Sequence, residues 1–232
     1  MEVGKPNLQR PVNEEVKAMS IKKSYPDILR FGHKDMTIVK VEPKFKGFFT
    51  INEVHVNHAL YEGGTSITLK REIFERGDAV VLLPYDPVTD KVVIIEQFRL
   101  GAMSGDTPWQ LEFIAGMFGE NEHPIDVAIR EAKEEANLTI EENDIIKINQ
   151  FFPSPGGTSE CIYMFAAKVD VTEVGGVYGL EEEGEDILVH VIAREEAMSL
   201  LAQGKITNAS TIIGLQWLQL NYSQLQKSWS TL

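Results

Sequence analysis

The stretch whose reading decides the fold is Gly116-Met117-Phe118-Gly119-Glu120-Asn121-Glu122-His123-Pro124-Ile125-Asp126-Val127-Ala128-Ile129-Arg130-Glu131-Ala132-Lys133-Glu134-Glu135-Ala136-Asn137-Leu138. A strand-like run ends on a glycine, a loop follows, and a helix begins. Ile125, Ala128, Ile129, Ala132 and Ala136 fall on one helical stripe, with charges elsewhere. Glu131 and Glu135 stand four apart, so their carboxylates project from the same face, with Glu134 beside them. Like charges at that spacing repel by roughly a few tenths of a kcal/mol when exposed, and the arrangement becomes a net gain when a cation lies between them. Oxygen-only ligands of this hardness select Mg²⁺ or Mn²⁺. The plain alternative is a solvated acidic helix face relieved by Arg130 and Lys133.

Working outward, WQLEFIAGMF (109–118) reads as strand, and before it DAVVLLPYD (78–86) and KVVIIEQFRL (91–100) form two β-branched runs around a turn at residues 86–90. They predict a central hairpin buried on both faces. Earlier still, MTIVKVEPKF, FFTINEVHVNHAL and TSITLKREIF alternate apolar and polar residues, with a hairpin turn signal at Glu62-Gly63-Gly64. After the helix, strands resume at DIIKINQFF, CIYMFAAKVD and DILVHVIA, followed by two helical runs, AREEAMSLLAQG and NASTIIGLQWLQLNYSQLQKSW, the second with Asn208 or Ser210 as N-cap. The pattern predicts an α+β chain, a mixed sheet packed between helices in α/β/α layers with an N-terminal antiparallel strand segment. Three stretches are expected: a polar arm over residues 1–35, the strand segment over 36–76, and the main domain over 77–232.

The 232 residues carry 35 acids against 22 bases, a formal charge of −13. A field of that sign repels phosphate backbones, so nucleic acid is excluded as a partner of a basic surface. The charge is localised. Residues 112–144 hold ten acids and two bases and residues 181–186 hold five acids, which together equal the whole of it. Cys161 is the single cysteine, expected as a buried thiol in a reducing compartment. With no secretion signal and no apolar run of about 20 residues, a cytoplasmic protein without a membrane partner is expected.

The central stretch resembles the Nudix box: Gly, five residues, Glu, seven residues, Arg-Glu, an apolar residue, one residue, Glu-Glu, one residue, Gly, apolar. Gly116, Glu122, Arg130, Glu131, Ala132, Glu134, Glu135 and Leu138 fall in register, and Asn137 replaces the final glycine, as the next-best occupant of the left-handed position ending a helix. REIFERGDAVVLLPYDP, EQFRLGA, Thr107 to Gly116, SPGGTSE, GLEEEGEDILVHV and IIGLQWLQL extend the likeness over roughly Lys44 to Trp229, toward the ADP-ribose pyrophosphatase branch of the family.

That resemblance implies Mg²⁺-dependent hydrolysis of the pyrophosphate of ADP-ribose to AMP and ribose 5-phosphate, by a homodimer exchanging the strands from about Met36 to Arg71. Glu131, Glu135 and the carbonyl of Ala115 would hold the metals, with Glu134 as a ligand or a support. Aligning Gly179-Leu180 and Asp186-Ile187 puts the catalytic base at Glu183 and a further metal ligand at Glu185. Arg71, Arg99 and Glu160 match substrate contacts, the Met117 amide meets phosphate, and Phe48 is a candidate for base stacking. Taken singly, the arginines read as surface ion pairs, Glu160 as a turn residue and Phe48 as core at a strand start. Rival readings are hydrolysis of another nucleoside diphosphate sugar or a dinucleotide, and a non-catalytic ADP-ribose sensor.

Overall fold

The structure, a computed structural model, describes residues 28–119 and 121–229. Most of the arm of residues 1–35 lies outside the described residues, and a short 3₁₀ turn at His33–Asp35 leads into the first strand.

Strands β1 (Met36–Lys46), β2 (Thr50–His58) and β3 (Leu69–Glu75) form an antiparallel sheet in that order. The strand period of two sorts its side chains onto two unlike faces. One gathers Lys40, Glu42, Glu53, His55 and Lys70 through the pairs Lys40↔His55, Glu42↔Glu53 and His55↔Lys70. Its charges satisfy one another, Lys44 Nζ lying 3.0 Å from Glu42 and 3.2 Å from Glu53. The opposite face carries Ile38, Val41, Val54, Val56, Leu69 and Ile73, with Arg71 opposite Val54. No residue of the three strands is buried.

The second sheet has eight strands: β4 (Ala79–Asp86), β5 (Lys91–Phe98), β6 (Trp109–Glu112), β7 (Ile114–Met117), β8 (Ile145–Phe151), β9 (Ile162–Lys168), β10 (Gly176–Tyr178) and β11 (Ile187–Ala193). Their order is β10-β11-β5-β4-β9-β8, with β6 on β5 and β7 on β4. The β4–β9 pair is parallel, so the sheet is mixed. Alternate residues of β4 supply both cores. Val80 and Leu82 pack under helix α1 (Pro124–Ala136) with Val127, Ala128, Ala132 and Ala136, while Val81, Leu83 and Tyr85 pack with Ala197 of α2 (Arg194–Ala202) and Leu215, Leu218 and Leu225 of α3 (Ala209–Trp229). This is the α/β/α layering expected from the sequence.

Three local readings are corrected. The β4–β5 hairpin pairs only at Tyr85↔Val92 and Asp86↔Lys91. Beyond the turn the strands part, β7 joining β4 and β6 joining β5, because a strand buried on both faces shows no pattern revealing its neighbour. Strand β10 escapes the sequence reading, being three residues between Gly175 and Gly179. The helical stripe is rotated from the expected one: Val127, Ala128, Ala132, Glu135 and Ala136 are buried, whereas Ile125 and Ile129 are only partly covered. Asn137 adopts the expected left-handed conformation, φ 51° and ψ 25°, at the end of α1. Of the two N-cap candidates, the structure selects Asn208, whose Oδ1 accepts the Thr211 amide at 3.0 Å. Cys161 is buried, as expected.

Candidate active site

Helix α1 crosses the sheet beside β7 and turns Glu131 and Glu135 toward that strand. Glu135 is 1% exposed, and its Oε2 accepts the Ala115 amide at 2.9 Å. Glu131 lies so close to the neighbouring peptide that a Cβ on Gly116 would overlap its Oε1. The glycine opening the motif is thus the space in which a helix carboxylate rests against a strand. Burial pushes the Glu135 carboxyl well above the usual range, opposed by the Ala115 amide, reinforced by Glu131 and Glu185, and opposed again by Arg99. Burial also raises Glu131, against the pull of Arg130 and with the push of Glu134 and Glu185.

Arg130 organises the flank. Its Nε and Nη2 form a fork on Glu122 at 2.9 and 3.0 Å, its Nη1 donates to Glu131 at 2.7 Å and Glu134 at 3.0 Å, and its Nη2 reaches the Met117 carbonyl at 3.2 Å. Glu122 also accepts the Gly119 amide at 2.6 Å, and Arg130 followed by that amide holds its carboxyl below the usual range. The sequence reading gave Arg130 only charge relief. Its position before Glu131 lets one guanidinium fasten the loop, the strand end and two helix carboxylates at once.

The acidic loop divides at Gly184. Glu181–Glu183 form an exposed 3₁₀ turn, whereas Glu185 folds inward with its Oε2 on the Leu180 amide at 3.1 Å. Gly179, at φ 111°, makes room for it: a Cβ there would fall 2.6 Å from the Glu185 Cβ. Glu185 acts electrostatically on both Glu131 and Glu135, so the acidic loop presents its inward carboxylate on the side of the two helix carboxylates. A buried carboxylate and two partly covered ones that repel one another are oxygen donors of the kind that suits a hard divalent cation. Glu183, the expected base, sits in the exposed turn, and Glu134 is tied to Arg130.

The residues expected to meet the substrate lie on and beside the two sheets. Arg99 leaves β5 on the site side, where its charge reaches Glu135, and its Nε and Nη2 rest on the buried Glu112 at 3.0 and 2.9 Å. Glu112 is a residue that the sequence reading missed, since a carboxylate in a short strand carries no signal of its partner. Glu160 is buried, 3.4 Å from Arg76, with burial raising its carboxyl. Its loop is stitched to β3, the Phe74 amide donating to the Gly157 carbonyl at 2.8 Å and the Thr158 hydroxyl to the Phe74 carbonyl at 3.0 Å. Arg71 is exposed on β3 and donates to the Lys70 carbonyl. Phe48 is 89% exposed in the turn before β2, so it is neither core nor within a strand, with its ring edge-on to Phe49 at 4.7 Å.

Among the described residues, Glu42, Glu53 and His55 offer ligand atoms within 4.8 Å of one another. Lys40 and Lys44 already pair with the two carboxylates of that trio, which lies on the three-stranded sheet. No helix among the described residues is long and apolar enough to cross a membrane.

Residues 75–212 match the family description NUDIX domain. Over 201 residues, 86% of this chain and 95% of the relative, the chain is 46% identical to the ADP-ribose pyrophosphatase of Escherichia coli (strain K12). It is 42% identical to the ADP-ribose pyrophosphatase of Haemophilus influenzae over 212 residues, 90% of this chain and 97% of that one. A GDP-mannose pyrophosphatase of Yersinia pestis is 33% identical over 165 residues, 68% of this chain and 79% of the relative. A solved structure described as an ADP compounds hydrolase superposes with a TM-score of 0.60 at 21% identity, covering 84% of this chain and 96% of that one, a likeness of fold.

Proposed function

The chain belongs to the NUDIX family, and from that premise we infer that it hydrolyses the pyrophosphate bond of ADP-ribose. The observation that carries this reading is the 42–46% identity to ADP-ribose pyrophosphatases over nearly their full length. AMP and ribose 5-phosphate are the products of such a cleavage.

Glu131, Glu135, Glu185 and the carbonyl of Ala115 are assigned to hold Mg²⁺, or Mn²⁺ in its place. A divalent ion, when bound there, supplies charge screening for the diphosphate and orientation for the attacking water. The support is the burial of Glu131 and Glu135 without full compensation by a protein cation. Arg99 and Arg71 are assigned to the diphosphate, the Met117 amide to a phosphate oxygen, and Glu160 and Phe48 to the remainder of the substrate. Glu183 is the general base: it takes the proton of the attacking water when the turn closes over the substrate. Glu134 steadies Arg130, through which the box carboxylates keep their places.

A homodimer completes the site. Among the described residues the apolar face of β1–β3, which carries Arg71, is only partly covered, while the charges of the other face pair with one another. A sheet of three strands needs its apolar face covered, and a second copy exchanging residues 36–76 covers it and delivers Arg71 and Phe48 to the partner's carboxylates. A cytoplasmic location accords with the lone buried thiol.

The test is a substrate panel with and without Mg²⁺. ADP-ribose is expected to be cleaved fastest, to AMP and ribose 5-phosphate, with loss of activity in chelator. Preference for GDP-mannose or NADH would move the chain to another branch, and tight binding of ADP-ribose without turnover would make it a sensor.

A further inference from the structure

We propose that Glu112, outside the metal and substrate set, is a positioning residue that holds Arg99 with one guanidinium edge turned to the diphosphate. The proposal rests on the reading of Arg99 as a substrate contact. Glu112 is 5% exposed, on the last position of β6. Both its oxygens are engaged: Oε2 accepts Arg99 Nε at 3.0 Å, Arg99 Nη2 at 2.9 Å and Gln97 Nε2 at 3.3 Å, and Oε1 accepts Asn208 Nδ2 at 3.0 Å. Asn208 is itself pinned, because its Oδ1 caps α3 through the Thr211 amide, and the Thr211 hydroxyl accepts the Phe113 amide at 3.1 Å. A hydrogen-bonded line thus runs from the start of α3, through a buried carboxylate, to an arginine whose side chain remains 43% exposed.

Burying a carboxylate costs free energy that a neutral residue of the same shape avoids. What the charge gives in return is directional. Arg99 presents five donors in a rigid fork, and Glu112 takes the Nε–Nη2 edge, leaving the Nη1 edge for an anion. The influence of Arg99 on Glu135 places that cation in the field of the carboxylate centre. An exposed arginine loses side-chain freedom on binding a diphosphate, and one already held loses less.

Two roles for Glu112 predict opposite signs. As a mere counter-charge it weakens the pull of Arg99 on a diphosphate, so its neutralisation would tighten binding. As a positioning residue it strengthens that contact, so its neutralisation loosens it. The experiment is steady-state hydrolysis of ADP-ribose by the full chain in four forms: wild type, Glu112→Gln, Arg99→Ala and the double variant, with thermal melting of each. Glu112→Gln is expected to raise KM about tenfold while kcat stays within about twofold, the loss of one charge-assisted contact. In the Arg99→Ala background the same change is expected to add nothing to KM, whereas a general loss of stability would act in both backgrounds. An unchanged or lowered KM in Glu112→Gln, or effects that multiply in the double variant, overturns the positioning role. If Arg99→Ala itself leaves KM unchanged, the diphosphate assignment of Arg99 and the role of Glu112 fall together. If Arg99→Ala raises KM and Glu112→Gln does not, only the role of Glu112 falls.

Discussion

Every residue of β4 is buried, whereas none of β1, β2 or β3 is. The eight-stranded sheet covers both faces with its own helices and holds Glu131 and Glu135 within the reach of the Glu185 charge, all in one chain. The three-stranded sheet settles its charges on one face and leaves the other, with Arg71, only partly covered by the described residues. Under the proposed function the difference separates two kinds of residue: the carboxylates proposed to hold the metal are built in cis on a rigid core, and Arg71, proposed for the substrate, stands on a surface that we propose a second chain completes.

Replacing a carboxylate of the core strikes the comparison hardest. Glu135→Gln keeps the shape of a buried side chain and removes its charge, and it is expected to lower turnover on the order of 10²–10⁴-fold if a metal site is lost. Unchanged turnover on ADP-ribose at saturating Mg²⁺ would remove Glu135 from the metal set. Gly116→Ala comes next. The new methyl displaces Glu131 without altering any charge, and a misplacement of that kind costs about 10²-fold in kcat. A variant with full activity would show that the close contact of Glu131 with β7 is dispensable.

A smaller effect, in stability, sets the two regions against each other through pH. The folded-state carboxyls of Glu131 and Glu135 lie above their unfolded value of 4.5. The folded chain therefore holds protons that the unfolded chain has released, and their contribution to stability is lost as pH rises through the raised values. Glu42 has the opposite sign: Lys40 and Lys44 hold it at about 2, so its contribution is present above 4.5 and is lost as pH falls toward 2. Metal-free protein is expected to lose Tm from pH 5 to 8 relative to Glu135→Gln, with added Mg²⁺ restoring most at the higher pH, since binding needs ionised carboxylates. Parallel Tm curves for the two proteins would contradict the raised carboxyl of Glu135.

Much of this was legible in the sequence where the physics is local. The spacing of Glu131 and Glu135 follows from helical period, the left-handed Asn137 from helix-end sterics, and the layers from two periodicities in one chain. What was not legible depends on pairing over long distance. Nothing in DAVVLLPYD or KVVIIEQFRL says that β6 and β7 part the hairpin, and nothing near Glu112 points to Arg99 or Asn208. Glu185 and Glu183 looked alike within one acidic run. Only the turn at Gly184 and the space at Gly179 send the first inward and leave the second exposed.

The central claim, a site built from one chain's carboxylates and the other chain's Arg71, is tested most directly by mixing subunits. Arg71→Ala and Glu135→Gln chains, each impaired alone, are dissociated, combined in equal amounts and reassembled, and ADP-ribose hydrolysis is measured at substrate below KM. In a twofold dimer each mixed pair has one site with both residues intact, so activity is expected to recover to ~25% of wild type. A mixture no more active than the mean of its parents would place Arg71 and the carboxylates of each site on the same chain and contradict the account.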